Sequence, residues 1–356
     1  MRVWLVALIA GMMAGTAPRA QVPTFKGGID LVSFSVTVLD RRGNFVTGLK
    51  EPDFEIYEDG KKQVLKHFVS SSEAGDAALP PLHLGVLLDI SGSMEDEMTL
   101  SRSAAIKFLR TLDEAEDMTL VDFDTEVRVA RYSHADFPSL VERIRSRKAD
   151  GFTAMYDALA VYLDGASSQD GRKILVLYTD GGDNTSHLSF GDTLTLLRAS
   201  DVTVYSIGLL QHAGSASVEL RSRLLQLAEL TGGQAFFPNS LKDLDGVYEK
   251  IRDEIRAQYV IGYVSTNARQ DGSWRKVDIK VVRSGIKDFR VRTRKGYFAP
   301  YRQAGRSVAG PKHCAAPGAC DFLPGPICRS STRLWYDEGL VSDPPWLPYR
   351  IASSWY

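Results

Sequence analysis

The stretch LGVLLDISGSME, residues 84–95, passes from a short apolar run into three polar side chains at alternate positions. An apolar run of this length is typical of a strand that is buried on both faces of a sheet. Because successive side chains of a strand point to opposite faces, Asp89, Ser91 and Ser93 are expected to point the same way. The sequence therefore predicts a buried strand whose carboxyl end presents one carboxylate and two hydroxyls together.

Similar short apolar strands alternate with amphipathic helices over residues 79–262; they include MTLVDF, ILVLYTD and VTVYSI. The last helix is the clearest, because Ser240 is a good N-cap and apolar residues follow it three and four positions apart. These apolar residues are Leu241, Leu244, Tyr248, Ile251 and Ile255. The alternation predicts a doubly wound α/β domain whose mostly parallel sheet is covered by helices on both faces.

Segments with strand signals lie on both sides of the α/β region. In SFSVTVLD, residues 33–40, apolar residues alternate with polar ones, and Asp59-Gly60 stands between two strand-like runs as a hairpin signal. WRKVDIKVV, residues 274–282, alternates in the same way. We interpret the two segments as parts of one β-sandwich-like domain into which the α/β domain is inserted.

The chain begins with the pattern of a secretory signal peptide: Arg2, then VWLVALIAGMMAG, then small residues up to Ala20. We therefore expect an exported protein that is periplasmic, attached to the cell surface or secreted.

All three cysteines, Cys314, Cys320 and Cys328, lie near the C-terminus, so the rest of the chain must fold without disulfides. The predicted division is residues 1–20 as signal peptide, 21–78 as an N-terminal β-rich segment, 79–262 as the α/β domain, 263–300 as a C-terminal β segment pairing with 21–78, and 301–356 as an unassigned tail.

The composition is that of a globular protein, with 44% hydrophobic and 24% charged residues in a chain of 356. The formal net charge is −1, so no global field favours nucleic acid or an anionic membrane as a partner. No second apolar run is long enough to hold the mature chain in a membrane.

Two further loops are expected to bring side chains with oxygen atoms to the end of the strand that carries Asp89. DGFTAMYDAL, residues 150–159, offers Thr153 at a helix start, and Asp180 directly follows the strand ILVLYT. In an open α/β sheet, ligands bind outside the carboxyl ends of the strands, where these loops meet. Two carboxylates and three hydroxyls form a site of hard oxygen ligands that suits Mg²⁺ or Mn²⁺. Because most of these ligands are neutral, the ion would still attract a carboxylate from another molecule.

The order Asp-x-Ser-x-Ser, a later Thr and then Thr-Asp-Gly resembles the metal-ion-dependent adhesion site (MIDAS) of von Willebrand factor type A (VWFA) domains. The flanks VLDRRGNFVTGLKEPDFEIYEDGK and RTRKGYFAP are similar to those of VWFA-related proteins common in Acidobacteria. The resemblance implies that Ser91 and Ser93 bind the ion directly, that Asp89 and Asp180 bind it directly or through water, and that Thr153 joins when the site is engaged. It also implies that a Glu or Asp of a protein partner takes the remaining position, and that the last helix, residues 240–258, shifts on engagement.

A less specific interpretation is that Ser91, Ser93 and Glu95 only cap a helix. It does not account for Thr153 and Asp180 in separate loops, because helix caps do not require one another. Around the site, Asp157 is expected to support a ligand or to lie on a helix surface. Asp183 and Asn184 are expected to be turn residues.

One stretch of the sequence also resembles an enzyme motif. LVDFDTEV, residues 120–127, resembles the Asp-x-Asp start of a haloacid-dehalogenase-type phosphatase, with Asp122 as nucleophile and Asp124 as acid/base. Thr125 follows Asp124 directly, where that motif needs its Thr or Val one position later, and strand alternation alone would leave both aspartates exposed at a strand end. We predict a metal-dependent protein-binding module rather than an enzyme. The alternatives are this hydrolase and a structural envelope protein whose site is not used.

Overall fold

The structure is a computed structural model that describes residues 31–72, 79–112, 114–180, 182–211, 214–283 and 289–301. The predicted signal peptide, the tail with its cysteines and the predicted turn at Ser284-Gly285 lie outside the described residues. The strands are, in chain order, β1 (Leu31–Leu39), β2 (Phe54–Glu58), β3 (Lys61–Gln63), β4 (Leu65–Ser70), β5 (Leu82–Asp89), β6 (Asp117–Phe123), β7 (Val127–Tyr132), β8 (Arg172–Thr179), β9 (Thr203–Gly208), β10 (Ala235–Phe236), β11 (Tyr259–Val264), β12 (Trp274–Val281), β13 (Arg290–Arg292) and β14 (Gly296–Phe298). The α-helices are α1 (Met98–Thr111), α2 (Phe137–Ser146), α3 (Met155–Ser167), α4 (Phe190–Ala199), α5 (Ser217–Leu230) and α6 (Leu241–Ala257).

The central sheet of the described residues has six strands in the order β10-β9-β8-β5-β6-β7. Neighbouring strands are parallel except at the edge, where β7 runs antiparallel to β6. Every residue of β5 is buried, as the apolar run predicted. The predicted doubly wound α/β fold is therefore confirmed, with one antiparallel edge strand added. Among the described residues, no helix combines the length and the apolar character needed to cross a bilayer.

Two hydrophobic clusters cover the two faces of this sheet, because the apolar strands project side chains to both sides. Leu84, Val86 and Leu88 of β5 pack into the cluster that includes α1, α2 and α6. Leu87 packs on the opposite face, into the cluster with α3, α4 and α5. This double covering holds β5 at the centre of the domain and places its carboxyl end between those of β6 and β8.

A second region is antiparallel and consists of two four-stranded sheets, β13-β1-β11-β4 and β14-β12-β2-β3. Strands from before and after the α/β domain pair here: Phe34 of β1 lies opposite Ile261 of β11, and Ile56 of β2 lies opposite Ile279 of β12. These four side chains belong to one buried cluster between the sheets. The hairpin between β2 and β3 turns at Asp59-Gly60 as predicted, with both residues at positive φ.

Gly233, in the turn before β10, lies against the backbone of β9. A Cβ on this residue would overlap the backbone carbonyl of Val204. Backbone atoms cannot rotate away as a side chain can, so Gly233→Ala is expected to destabilise the fold by about 3 kcal/mol. Gly246→Ala is the control, because Gly246 lies in α6 with open space around its Cα; it should stabilise the protein by about 0.5–1 kcal/mol. Urea unfolding of both variants measures these changes, and equal unfolding midpoints would contradict the packing argument.

Candidate metal-binding site

The last residue of β5, Asp89, is a fully buried carboxylate, with 0% of its surface exposed. Its Oδ1 accepts hydrogen bonds from the backbone N–H of Ser91 at 3.0 Å and from the Ser91 hydroxyl at 2.6 Å. Its Oδ2 accepts a hydrogen bond from the Thr179 hydroxyl, at the end of the neighbouring strand β8, at 2.6 Å. These three hydrogen bonds fix the orientation of the carboxylate at the strand edge.

The environment of Asp89 opposes its negative charge. Burial, followed by the negative charge of Asp180, raises the pKa of Asp89 to about 7, although the hydrogen bonds from Ser91 and Thr179 act in the opposite direction. The two carboxylates are therefore close enough to repel each other. In the described part of the chain, no basic side chain is among the main influences on the pKa of Asp89. A bound cation would reverse this balance by favouring both ionised carboxylates.

Ser91 and Ser93 stand next to each other, with 3.2 Å between their hydroxyl oxygens. Ser91 is buried and Ser93 is exposed, so this pair extends from the buried carboxylate to the surface. Ser91 is the N-cap of a short 3-10 turn at Gly92–Met94, but its side chain forms no capping hydrogen bond. The hydroxyl instead donates to Asp89, and α1 starts only at Met98. The interpretation of these serines as helix caps is therefore wrong.

Thr153 is brought to the same edge through the backbone of its loop. Gly92 N–H donates to the carbonyl of Gly151 at 3.0 Å, which joins this loop to the one that carries Ser91 and Ser93. Thr153 N–H donates to Asn184 Oδ1 at 2.9 Å, and Asn184 N–H donates back to the Thr153 carbonyl at 3.1 Å. The loops after β5 and β8 thus hold the Thr153 loop from two sides.

The residues expected to be turn or supporting groups have defined structural roles. Asp183 Oδ2 accepts a hydrogen bond from Tyr156 N–H in the first turn of α3 at 2.9 Å, so it caps that helix from another loop. Asp157 Oδ1 accepts from Leu188 N–H at 3.1 Å, which fixes the far end of the same loop. Asp157 thus joins α3 to the loop after β8, and its support of a metal ligand stays a prediction. The contributions of Thr179 and Asn184 were not recognised in the sequence; the position of Thr179 directly before Asp180 was the available signal.

The Asp-x-Asp stretch considered for a phosphatase has a different environment. Asp122 is buried, not exposed as predicted, and Nε atoms of Arg143 and Arg147 lie 2.7 Å and 3.0 Å from its oxygens. Asp124 forms an ion pair with Arg128 at 3.1 Å. Both carboxylates are therefore engaged in ion pairs.

Among the described residues there is no cluster of three or more His, Cys, Asp or Glu side chains that could hold a metal ion. The proposed ligands around Asp89 do not form such a cluster, because they include only two carboxylates and the other three are hydroxyls.

Comparison with known proteins agrees with this fold. The model of the von Willebrand factor type A domain family matches residues 83–250. This part of the chain, which contains β5, the three loops and most of α6, is a von Willebrand factor type A domain. Domains of this family mediate protein interactions. No curated protein matches the chain significantly.

Several solved structures are similar to the chain at low identity. BatB from Bacteroides thetaiotaomicron is 13% identical, with a TM-score of 0.40, over 49% of this chain and 99% of that protein. The PilB minor pilin from Streptococcus sanguinis is 15% identical, with a TM-score of 0.40, over 50% of this chain and 62% of the pilin. A von Willebrand factor type A protein from Catenulispora acidiphila is 15% identical, with a TM-score of 0.42, over 77% of this chain and 74% of that one.

Proposed function

We propose that this protein is a metal-dependent protein-binding module. A Mg²⁺ or Mn²⁺ ion is held by Asp89, Ser91, Ser93, Thr153 and Asp180, and a Glu or Asp side chain of a partner protein completes its coordination. The observation that carries the proposal is the buried Asp89 carboxylate, which is surrounded by hydroxyls and repelled by Asp180. A cation bound by both carboxylates would remove the repulsion between them, which supports the proposed site.

The donor set fits a small hard cation. All five side chains offer oxygen, which is the ligand that Mg²⁺ and Mn²⁺ prefer. Three of the five are neutral hydroxyls, so a bound ion keeps more attraction for an external carboxylate than it would in an all-carboxylate site. When bound, the ion supplies an electrophilic position for that carboxylate at the surface, beside the exposed Ser93.

The residues around the ligands keep the site ready for the ion. Thr179 and the backbone of Ser91 orient the Asp89 carboxylate, and Asn184 fixes the backbone of Thr153. These hydrogen bonds come from the domain's own residues and restrict the orientations that the ligands can adopt. The export predicted from residues 1–20 would place this binding activity outside the cytoplasm, in the envelope, at the surface or in the medium.

A calorimetric titration of Mg²⁺ tests the proposal on single-residue variants. Ser93→Ala and Asp180→Ala are expected to weaken Mg²⁺ binding at least about tenfold, because each removes an oxygen ligand of the ion. Asp150→Ala is the control: Asp150 is an exposed carboxylate in the Thr153 loop, so its loss changes the local charge equally without removing a ligand. It should bind Mg²⁺ within about threefold of the unchanged protein. Equal affinities in all three variants would contradict the proposed ligand set.

A further inference from the structure

We propose that Phe152 is the apolar contact of the binding site, and that the partner carries an apolar side chain within two residues of the acidic residue that reaches the ion. This inference rests on the proposed function and adds to it the chemical character of the partner segment. Phe152 is 63% exposed, although it directly precedes Thr153, which is 2% exposed. A large aromatic ring thus lies in solvent beside a proposed metal ligand.

Hydrogen bonds on both sides hold the backbone that carries Phe152. Phe152 N–H donates to the Thr125 hydroxyl at 2.9 Å, and the carbonyl of Gly151 accepts from Gly92. Gly151 has a φ of +74°, and a Cβ there would lie 2.7 Å from the same Thr125 hydroxyl. The loop can therefore approach Thr125 only with glycine at this position. On the other side of Phe152, Thr153 N–H is bound by Asn184.

A fixed loop with an exposed aromatic side chain has the properties of a binding contact. The backbone loses little conformational freedom when a partner arrives, and burial of the ring releases water from apolar surface. Aromatic side chains of this kind often dominate the affinity of protein interfaces. One ring is too small to hold the protein on a lipid surface. Its position next to Thr153 instead suits a peptide segment that reaches the ion with one side chain and Phe152 with a neighbouring one.

The test uses an array of immobilised peptides probed with the labelled protein in excess Mg²⁺ or in excess EDTA. The host peptide is Gly-Gly-Ser-Ser-Asp-Ser-Ser-Gly-Gly, and each further peptide replaces one of the four serines with leucine. Phe152→Ser is compared with the unchanged protein and with Tyr301→Ser. Tyr301 is the matched control, because it is also aromatic and 59% exposed but lies in the antiparallel region.

We expect at least one leucine peptide to be retained about tenfold more strongly than the host in Mg²⁺, as burial of one large apolar side chain implies. Tyr301→Ser should keep this preference. Phe152→Ser should lose it and still retain the host peptide in Mg²⁺ but not in EDTA. A leucine preference that persists in Phe152→Ser, or is missing from the unchanged protein, would overturn the inference and leave the metal-dependent function standing.

Other outcomes separate the two proposals. A leucine preference that depends on Phe152 but not on Mg²⁺ would support the contact and contradict the metal-dependent function. Failure of the unchanged protein to retain any aspartate peptide would contradict both. Binding to phosphatidylcholine vesicles, or self-association in solution, that Phe152→Ser abolishes while peptide binding is unaffected would assign the ring to a membrane or to a second copy and overturn the inference.

Discussion

Asp89→Asn is expected to abolish Mg²⁺ binding and at the same time to stabilise the metal-free protein. Asparagine has nearly the same shape: its Oδ1 can still accept from Ser91, and its Nδ2 can donate to the Thr179 hydroxyl. The substitution removes only the charge that burial and Asp180 oppose. A gain in stability together with a loss of binding is characteristic of a residue kept for function.

The stability change depends on pH in a direction that the pKa fixes. The folded-state pKa of Asp89 is raised from 3.8 to about 7, so between these values the unfolded chain is ionised while the folded metal-free protein keeps the proton. The contribution of this group to stability is complete below pH 3.8 and is lost as pH rises towards 7. The full shift corresponds to about 4 kcal/mol, which is the upper limit of what Asp89→Asn can recover above neutral pH.

Urea unfolding in EDTA at about pH 5 and about pH 8 measures this effect. The variant should exceed the unchanged protein by about 1–3 kcal/mol at the higher pH and by less at the lower one. Mg²⁺ should then stabilise the unchanged protein but not Asp89→Asn, since ligand binding shifts the folding equilibrium. Asp150→Asn serves as the control and should change neither quantity. An Asp89→Asn protein that is less stable than the unchanged one at the higher pH would contradict the electrostatic account of this site.

The sequence was most informative where local geometry decides the structure. The apolar run before Asp89 predicted a fully buried strand, and the position of Asp180 directly after another strand predicted the shared edge, because parallel strands end together. The role of the Ser91 side chain could not be read in the same way. A serine before a helical turn is an equally good cap, and only its hydrogen bond to Asp89 distinguishes the two roles.

Predictions failed where the outcome depends on segments that are distant in sequence. Alternation correctly placed Asp122 opposite Phe123, which packs into the cluster on the other face of the sheet. It could not show that Arg143 and Arg147, at the end of α2, cover the face on which Asp122 lies. Likewise, the hydrogen bond from Thr153 to Asn184 joins two loops that are 31 residues apart in the chain.

The end of α6 nearest the antiparallel region is held by a buried ion pair. Glu254, 1% exposed and one turn before the end of α6, accepts a hydrogen bond from the Thr37 hydroxyl of β1 at 2.9 Å. Its other carboxylate oxygen pairs with Arg292 of β13, and Arg292 also donates to Gln234 Oε1 at 2.7 Å. Only Gln258 separates α6 from β11, which lies inside the same sheet. Any shift of α6 would therefore have to break the contacts of Glu254 or move strands of this sheet with the helix.

Arg292→Met is expected to destabilise the protein by about 3–5 kcal/mol, because it leaves the buried Glu254 charged and without its cation. Arg256→Ala is the control. Arg256 lies in the same turn of α6 as Glu254 and forms an exposed ion pair with Glu114, so its loss should lower the free energy of unfolding by less than about 1 kcal/mol. Adding Glu254→Gln to Arg292→Met should recover a large part of the loss, since the uncompensated charge then disappears. Urea unfolding compares the three proteins, and Mg²⁺ titration should show unchanged affinity in each while it is folded. A cost for Arg292→Met no larger than that for Arg256→Ala would mean that the ion pair does not fasten α6 to the antiparallel region.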